Sequence, residues 1–197
     1  MGEVRMLKSI SAVLCGLTAV ALLWVAGYST LGATPKKRTG IQMHSSSFKD
    51  GGMIPDKYTC GKGNVSPELN WKNVPKGTKS FALVVDDPDA SGQPWVHWVI
   101  FNIPMKKADI TGDTYELLEG FPRDEKTREG IMQGSNDFKN IGYDGPCPPS
   151  GLHQYYFKLY ALDSLLNLIA GASRGQLLKA MEKHQLGWTQ IMGLYGK

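Results

Sequence analysis

The sequence predicts a mainly β domain with a few peripheral helices late in the chain. Three segments are rich in β-branched and aromatic residues and are bounded by breakers, which is typical of strands. Turn-forming residues are frequent, with 23 Gly and 11 Pro among 197 residues. Only one segment, near the C-terminus, has a convincing helical pattern. These features together favour an antiparallel β core.

Hydrophobic runs give the strand predictions. The strongest strand patterns are Ser80–Asp86, Val96–Ile103 and Tyr155–Leu162. Each run is almost continuously apolar, as expected of strands that are covered on both faces. Weaker strand patterns lie at Met43–Ser47, Glu68–Trp71 and Thr189–Tyr195. The polar stretch Lys106–Lys139 is predicted to be mostly loop.

The predicted helices lie near the C-terminus. Ser173 and Gln176 form a predicted capping box. The helical spacing of apolar residues then continues until Gly187 ends the pattern. A second, shorter helix is predicted over Ser164–Ala170.

Length and composition fit one globular domain with its own core. Charged residues make up 20% and hydrophobic residues 42% of the chain, which excludes a disordered or collagen-like protein. The net charge is only +4, and the basic residues are scattered apart from Lys36–Arg38. This charge distribution argues against nucleic acid as a partner.

The N-terminus has the pattern of an export segment. Arg5 and Lys8 precede an uncharged run, Ser9–Pro35, whose most apolar part is followed by small residues. Residues 1–33 are therefore predicted to be a signal peptide or, if uncleaved, a membrane anchor formed by residues 10–33. Both alternatives stay open, because basic residues flank the run on both sides.

The remaining chain divides into a linker, residues 34–42, and a domain, residues 43–197. Export would make the domain periplasmic or secreted, with membrane contact only through an uncleaved N-terminal segment. Signal removal would take Cys15 and leave Cys60 and Cys147. Two cysteines in an oxidising compartment favour a disulfide, and two separate buried thiols are the alternative.

Polar clusters stand at the ends of the predicted strands. They are Asp86–Asp89 after one strand, Trp95–His97 at the start of the next, and a Pro/Gly-rich loop, Gly145–Gly151, that leads into a third. Each has an ordinary structural explanation, namely a turn, a core histidine and a stiff connection. Together they are typical of functional residues presented by a rigid scaffold.

Strand alternation predicts which side chains share a face. It places His97 with Val99, Phe101 and Ile103, and it places Trp98 and Ile100 on the opposite face. By the same rule the side chains on one face of the third strand are His153, Tyr155 and Phe157.

These segments resemble the signatures of the phosphatidylethanolamine-binding proteins, also called Raf kinase inhibitor proteins, and the bacterial branch most of all. The matching runs are Asp87–Ala90, Trp95–His97, Gly145–Pro149 and Gly151–Tyr155, with further similarity at Asn64–Pro67, Gly134–Phe138 and Tyr160–Asp163. The resemblance extends from about Met43 to the C-terminus. It implies a central antiparallel sheet packed on a smaller one, with C-terminal helices.

The resemblance also implies a ligand pocket without a metal or cofactor. The matching positions are Asp87, Trp95, His97, Cys147, Pro149, His153 and Tyr155. The expected ligand is a small anion or zwitterion, such as phosphate or a phosphoethanolamine-like head group. Imidazole N–H groups and a tyrosine hydroxyl can donate to phosphate oxygens, and a neighbouring carboxylate can orient and charge a histidine.

Three function classes remain for such a pocket. The first is a non-catalytic binding protein, with a role as inhibitor or regulator of an unidentified protein. The alternative is a hydrolase or transferase that uses Asp87, His97 and His153. No activated nucleophile supports it, and Cys147 beside its prolines is better explained as structural. A metal site is disfavoured because the sequence has no close pair of histidines.

Overall fold

The computed structural model describes residues 40–105, 114–123 and 130–197. The strands in these ranges are β1 (Gln42–His44), β2 (Leu69–Lys72), β3 (Ser80–Asp87), β4 (Trp95–Pro104), β5 (Tyr115–Leu117), β6 (Met132–Gln133), β7 (Leu152–Leu162) and β8 (Gln185–Gly196). The α-helix in these ranges is α1 (Arg174–Met181). The predicted signal or anchor segment lies outside the described residues. Within the described ranges, no helix is both long enough and apolar enough to cross a membrane.

The strands form two antiparallel sheets. The larger sheet has five strands in the order β6-β4-β3-β7-β8, and the smaller has three in the order β1-β2-β5. Every neighbouring pair is antiparallel. The predicted fold class, a mainly β domain with a central antiparallel sheet packed on a smaller one and C-terminal helices, is therefore confirmed, with one α-helix among the described residues.

The larger sheet is covered on both faces of its centre. One face packs against the smaller sheet, where the rings of Trp71 and Phe81 meet edge to face with centroids 5.1 Å apart. The other face packs against α1, whose Leu177 and Met181 are buried in a second cluster with Val84. Because β3 lies between these layers, all eight of its residues are buried, which explains its nearly continuous apolar sequence.

The three strong strand predictions are confirmed with small changes at their ends. The weaker predictions correspond to β1, β2 and β8, although β8 begins at Gln185, before the predicted Thr189. In the stretch predicted to be mostly loop, the described residues form two short strands, β5 and β6. β7 departs from the expectation of burial on both faces, because its buried residues alternate with partly exposed ones.

The helix predictions need two corrections. The capping box of Ser173 and Gln176 is present, but α1 ends at Met181 because the chain then turns back into β8. Ser164–Ala170 forms no helix. Its backbone is held by side chains of the sheet instead: the Asn102 amide bonds both the N–H and the C=O of Leu166, at 2.8 and 3.0 Å. These bonds replace the i→i−4 bonds that a helix would make.

A β-bulge at His97 overturns the predicted alternation along β4. Val85 pairs with Trp98 and Asp86 pairs with Val96, so His97 is the extra residue. Its ring contacts Tyr155, which belongs to the same buried cluster as Trp98, rather than joining Val99 and Phe101. A bulge breaks the two-residue period because two residues face one on the neighbouring strand. A second irregularity, near Asn102, puts Ile103 into the cluster of Trp98 and Ile100.

A buried ion pair lies on the helix side of the larger sheet and yields a stability prediction. Lys158 Nζ donates to both oxygens of the fully buried Asp86, at 2.6 and 2.8 Å. Lys158→Met should lower the free energy of unfolding by about 3 kcal/mol, because it leaves a buried carboxylate without its main partner. Chemical denaturation measures this loss. Lys57→Met, which removes the exposed pair with Glu119, is the control and should change little; equal losses would contradict the prediction.

Candidate functional site

The topology gathers the predicted site residues at one end of the larger sheet. β3 ends where β4 and β7 begin, since both are antiparallel to it. Asp87 therefore pairs with Trp95 on one side and lies beside the start of β7 on the other. The bulge in β4 turns His97 toward the same place. Residues that are far apart in the sequence thus meet because of strand order and, for His97, because of the bulge.

A cavity of about 450 Å³ opens at this end of the sheet. Its lining residues are Asp87, Asp89, Ala90, Ser91, Trp95, His97, Phe138, Cys147, Pro148, Pro149, Ser150 and His153. Six of the seven predicted site residues are among them. The seventh, Tyr155, lies behind the histidines, with its ring centroid 5.2 Å from that of His97 and 6.5 Å from that of His153.

Asp87 and His153 form a hydrogen-bonded pair in the cavity wall. His153 Nδ1 lies 2.7 Å from Asp87 Oδ2, and the backbone N–H of Asp89 donates to Asp87 Oδ1 at 2.8 Å. Both side chains are largely buried. Because a carboxylate only accepts hydrogen bonds, His153 carries its proton on Nδ1. Asp87 therefore fixes the orientation of His153, as the sequence predicted for one of the histidines.

His97 is held by a backbone carbonyl rather than by a carboxylate. Its Nδ1 lies 2.6 Å from the carbonyl oxygen of Asp144, and the N–H of Asp144 donates to the carbonyl of His97 at 3.0 Å. His97 is only 2% exposed, and burial lowers its pKa more than the nearby hydrogen bonds and carboxylates raise it. His97 is therefore neutral near pH 7. The expectation that a neighbouring carboxylate charges a histidine does not apply to His97.

Asp144 is buried and is the centre of a polar cluster behind His97. Its Oδ1 accepts from Asn64 at 2.9 Å and from Arg123 at 2.5 Å, and its Oδ2 accepts from Asn136 at 2.7 Å and from Asn140 at 2.9 Å. Burial alone would raise the pKa of Asp144, but these hydrogen bonds outweigh burial and lower it. The cluster ties three loops to the carbonyl that holds His97.

Tyr155 supplies a buried hydroxyl next to the cavity. Its side chain is fully buried, and among the described residues its hydroxyl makes no hydrogen bond of normal geometry. Burial, followed by the charge of Asp87, raises the pKa of Tyr155 far above the neutral range. The hydroxyl therefore stays protonated, and its proton is available to an acceptor such as the nearby carboxylate of Asp87.

Aromatic rings and a cross-linked loop form the outer walls. The ring of Phe138 meets those of Trp95 and His97 edge to face, at centroid distances of 5.4 and 5.3 Å. On the other side, Cys147 forms a disulfide with Cys60, with their Cα atoms 5.5 Å apart. The bridge joins the proline-rich wall to the loop that follows a short 3₁₀ turn, Asp56–Tyr58.

The two bridged loops approach closely at Gly145. Its N–H donates to Asn64 Oδ1 at 2.7 Å. A Cβ at this position would lie 2.1 Å from the carbonyl oxygen of Tyr58, so only glycine fits without moving the backbone. The wall that carries Cys147 is therefore fixed by backbone contacts as well as by the disulfide.

Reasoning from the strands missed two residues of the site. Phe138 forms a wall of the cavity, and its only signal was its place in the Gly134–Phe138 run of the family resemblance. Asp144 does not line the cavity but positions His97. Its only signal in the sequence was its place directly before Gly145, where the proline-rich loop begins. No cluster of three or more metal-ligating side chains occurs in the part of the chain that the structure describes.

Comparison with known proteins gives the family. The model for "Phosphatidylethanolamine-binding protein" matches residues 44–196. The chain belongs to this family. It is 49% identical to a UPF0098 protein of Methanothermobacter thermautotrophicus over 155 residues, which cover 79% of this chain and 98% of the relative. A UPF0098 protein of Aquifex aeolicus is 45% identical over 158 residues, covering 79% and 88%.

Two solved structures of the family share the fold. The first is a phosphatidylethanolamine-binding protein homologue of Chlamydia trachomatis, with 36% identity, a TM-score of 0.68, and coverage of 80% of this chain and 97% of that one. The second is Escherichia coli YbcL, described as a new member of the mammalian family. It has 32% identity, a TM-score of 0.71, and coverage of 81% and 99%.

The disulfide yields a second stability prediction. It closes a loop with a sequence separation of 87 residues, so its removal should lower the free energy of unfolding by about 4 kcal/mol. Denaturant unfolding of the Cys60→Ala/Cys147→Ala variant, compared with the native protein, measures this loss. A reductant should destabilise the native protein and leave the variant unchanged. If the reductant leaves the free energy of unfolding of the native protein unchanged, the prediction is wrong.

The Asp144 cluster yields a prediction about pH. Asp144→Asn should lower the free energy of unfolding at pH 7 by about 2 kcal/mol, because an amide N–H₂ would face donors only. Because folding lowers the pKa of Asp144, its contribution is complete above the unfolded pKa of about 4 and is lost as the pH falls through the folded-state value.

The stability difference between the native protein and Asp144→Asn should therefore narrow below about pH 4. Thermal unfolding from pH 7 to pH 2.5 measures it. Asp163→Asn, at a half-exposed pair with His184, is the matched control. A difference that stays constant down to pH 2.5 would show that the carboxylate charge does not stabilise this cluster.

Proposed function

We propose that this domain is a non-catalytic binding protein for small phosphate-type ligands, and in particular for a phosphoryl group that carries an amine. The observation that supports the proposal is the cavity itself, which brings two imidazoles, hydroxyl groups and two carboxylates together at the end of the sheet. Such a mixture of donors and acceptors suits a compact zwitterion. The cavity volume is also sufficient for a head group of this size.

The charges around the cavity favour a zwitterion over a bare dianion. Asp87 and Asp89 line the cavity, while neither Lys nor Arg is among its described lining residues. A phosphate dianion would be repelled by these carboxylates. An ammonium group near Asp89 would offset that repulsion, and the hydroxyls of the two cavity serines, Ser91 and Ser150, can donate to the phosphoryl oxygens.

The name of the matching family supports the same ligand class. The head group of phosphatidylethanolamine, from which the family takes its name, is a phosphoryl group esterified with ethanolamine. It therefore carries an anionic phosphoryl group and an amine, the arrangement that the cavity charges favour. The proposal for this chain also includes the regulatory role expected from the sequence, in which an unidentified protein partner docks at or near the cavity.

A hydrolase or transferase is not favoured. Cys147 is cross-linked to Cys60, which removes the one thiol beside the cavity. Among the described residues, neither cavity histidine makes a hydrogen bond to a serine hydroxyl that could act as a nucleophile. The Asp87–His153 pair thus lacks the partner that nucleophilic catalysis needs.

Export remains part of the proposal. Structural disulfides persist mainly in oxidising compartments, so the Cys60–Cys147 bridge supports a periplasmic, secreted or membrane-anchored location for the domain. Mass spectrometry of the protein from its native compartment would show whether residues 1–33 are removed.

Titration calorimetry with phosphoethanolamine tests the ligand. We expect binding by the native domain, and affinity that rises as the pH falls from 8 to 5.5, because the phosphoryl dianion then becomes a monoanion with a pKa of about 6. His97→Gln and His153→Gln should each weaken binding about 10-fold or more, the effect of losing one buried polar contact.

His184→Gln is the matched control for these variants. His184 also holds an aspartate through Nδ1, at 2.8 Å from Asp163, but it does not line the cavity. This variant should bind like the native domain. The proposal is overturned if phosphoethanolamine does not bind, or if ethanolamine alone binds as tightly as phosphoethanolamine.

A further inference from the structure

We infer that the cavity selects phosphomonoesters that carry a proton on the phosphoryl group, over sulfate esters and phosphodiesters of the same charge, with His97 Nε2 as the acceptor of that proton's hydrogen bond. The inference rests on the proposed function and narrows its ligand class. It separates two sources of the same chemistry. A free phosphomonoester offers the P–O–H group, whereas the head group of an intact phospholipid is a diester and does not.

The geometry of His97 fixes which ring nitrogen can accept. A carbonyl oxygen only accepts hydrogen bonds, so the 2.6 Å contact with Asp144 requires the proton on Nδ1. In a neutral imidazole the other nitrogen, Nε2, then carries a lone pair. Among the described residues, the hydrogen bond of normal geometry on this ring is the one at Nδ1; the backbone of Gly145 lies close enough to raise the pKa of the ring, and His97 lines the cavity. The ring therefore offers the ligand an acceptor rather than a donor.

The surroundings of His97 keep the ring in this state. It is almost completely buried, and burial lowers its pKa. The ionisable groups that face it among the described residues are Asp87 and Asp89 from β3 and its loop, Asp144 from the loop before β7, and His153 and Tyr155 from β7. The backbone of Asp144 and Gly145 and the carboxylates of Asp87 and Asp144 raise the pKa of His97, but burial lowers it by more.

His153 also turns its Nδ1 toward an acceptor, the carboxylate of Asp87, so Nε2 is the nitrogen of this ring that is left for a ligand. Asp87 and Asp89 also line the cavity, so His97 Nε2 is one of several acceptors there, and a fully ionised oxyanion has no donor for any of them. A ligand with an O–H group of its own can donate a hydrogen bond to one of these acceptors. A monoanionic phosphomonoester has one P–O–H group, whereas a sulfate monoester and a phosphodiester have the same charge and none.

An unmatched acceptor next to an anionic oxygen weakens binding considerably. A site built to hydrogen-bond a ligand proton rejects the analogue that lacks it, because a buried polar group is then left unpaired. The free-energy cost of leaving one buried polar group unpaired corresponds to a loss of about 10- to 100-fold in affinity. This ratio is the quantity to be measured.

Three ligands that share an amine test the inference on the native domain by titration calorimetry at pH 6. They are phosphoethanolamine, ethanolamine O-sulfate and glycerophosphoethanolamine. We expect phosphoethanolamine to bind at least 10-fold more tightly than either of the others. Equal binding of phosphoethanolamine and ethanolamine O-sulfate overturns the inference but leaves the proposed function standing, whereas failure of all three to bind overturns both.

Proton uptake gives a readout that does not depend on any variant. Titrations at pH 7.5 in buffers of different ionisation enthalpy should show uptake of about one proton per phosphoethanolamine, because the free ligand is then mostly dianionic. Uptake should be close to zero at pH 5. If ethanolamine O-sulfate binds with the same uptake as phosphoethanolamine, the proton resides on a histidine, and the inference is wrong.

His97→Gln adds a test of the acceptor itself. The ratio of phosphoethanolamine to ethanolamine O-sulfate affinity should fall toward one, while His184→Gln keeps the native ratio. Near-ultraviolet circular dichroism checks that the variant is folded. A folded His97→Gln variant with the native ratio would show that His97 does not select the ligand; if the variant does not fold, the native ligand series decides.

Discussion

The contact between Asp144 and His97 is the interaction on which the site depends. The backbone of Asp144 holds His97 through two hydrogen bonds, while its carboxylate collects amide and guanidinium donors from three surrounding loops. Removing a carboxylate from water costs free energy, and hydrogen bonds to nearly all of its lone pairs are needed to offset that cost. One residue that does not line the cavity therefore joins the loops around it and holds its central histidine in one tautomer.

The bulge in β4 converts a strand residue into a site residue. Without it, His97 would point toward the helix side of the sheet with Val99 and Phe101, away from Asp87 and Tyr155. Bulges commonly re-aim side chains next to functional sites. Here the extra residue places an imidazole between the ring of Tyr155 and the ring of Phe138, and its position in the sheet makes it rigid.

Periodicity and composition were sufficient to predict β3, β4 and β7, because these central strands of the larger sheet leave a long, largely apolar run in the sequence. They were insufficient for β5 and β6, which are too short to show a period, and for the face of His97, since a bulge has no apolar signature. The helix predicted over Ser164–Ala170 does not form. The side chain of Asn102, which is distant in the sequence, bonds the backbone N–H and C=O of Leu166 instead. The family resemblance predicted the cavity residues, but it could not show that a backbone carbonyl sets the hydrogen-bonding character of His97.

The disulfide also changes what a single break in the chain would do. β3 and β4 lie between Cys60 and Cys147, whereas β7 and β8 follow the bridge. A protease that cut once in a loop between the two cysteines would leave both pieces covalently joined and would not interrupt any strand. In an extracellular setting, where proteases are common and nothing resynthesises a damaged chain, such a nicked molecule could keep its cavity assembled.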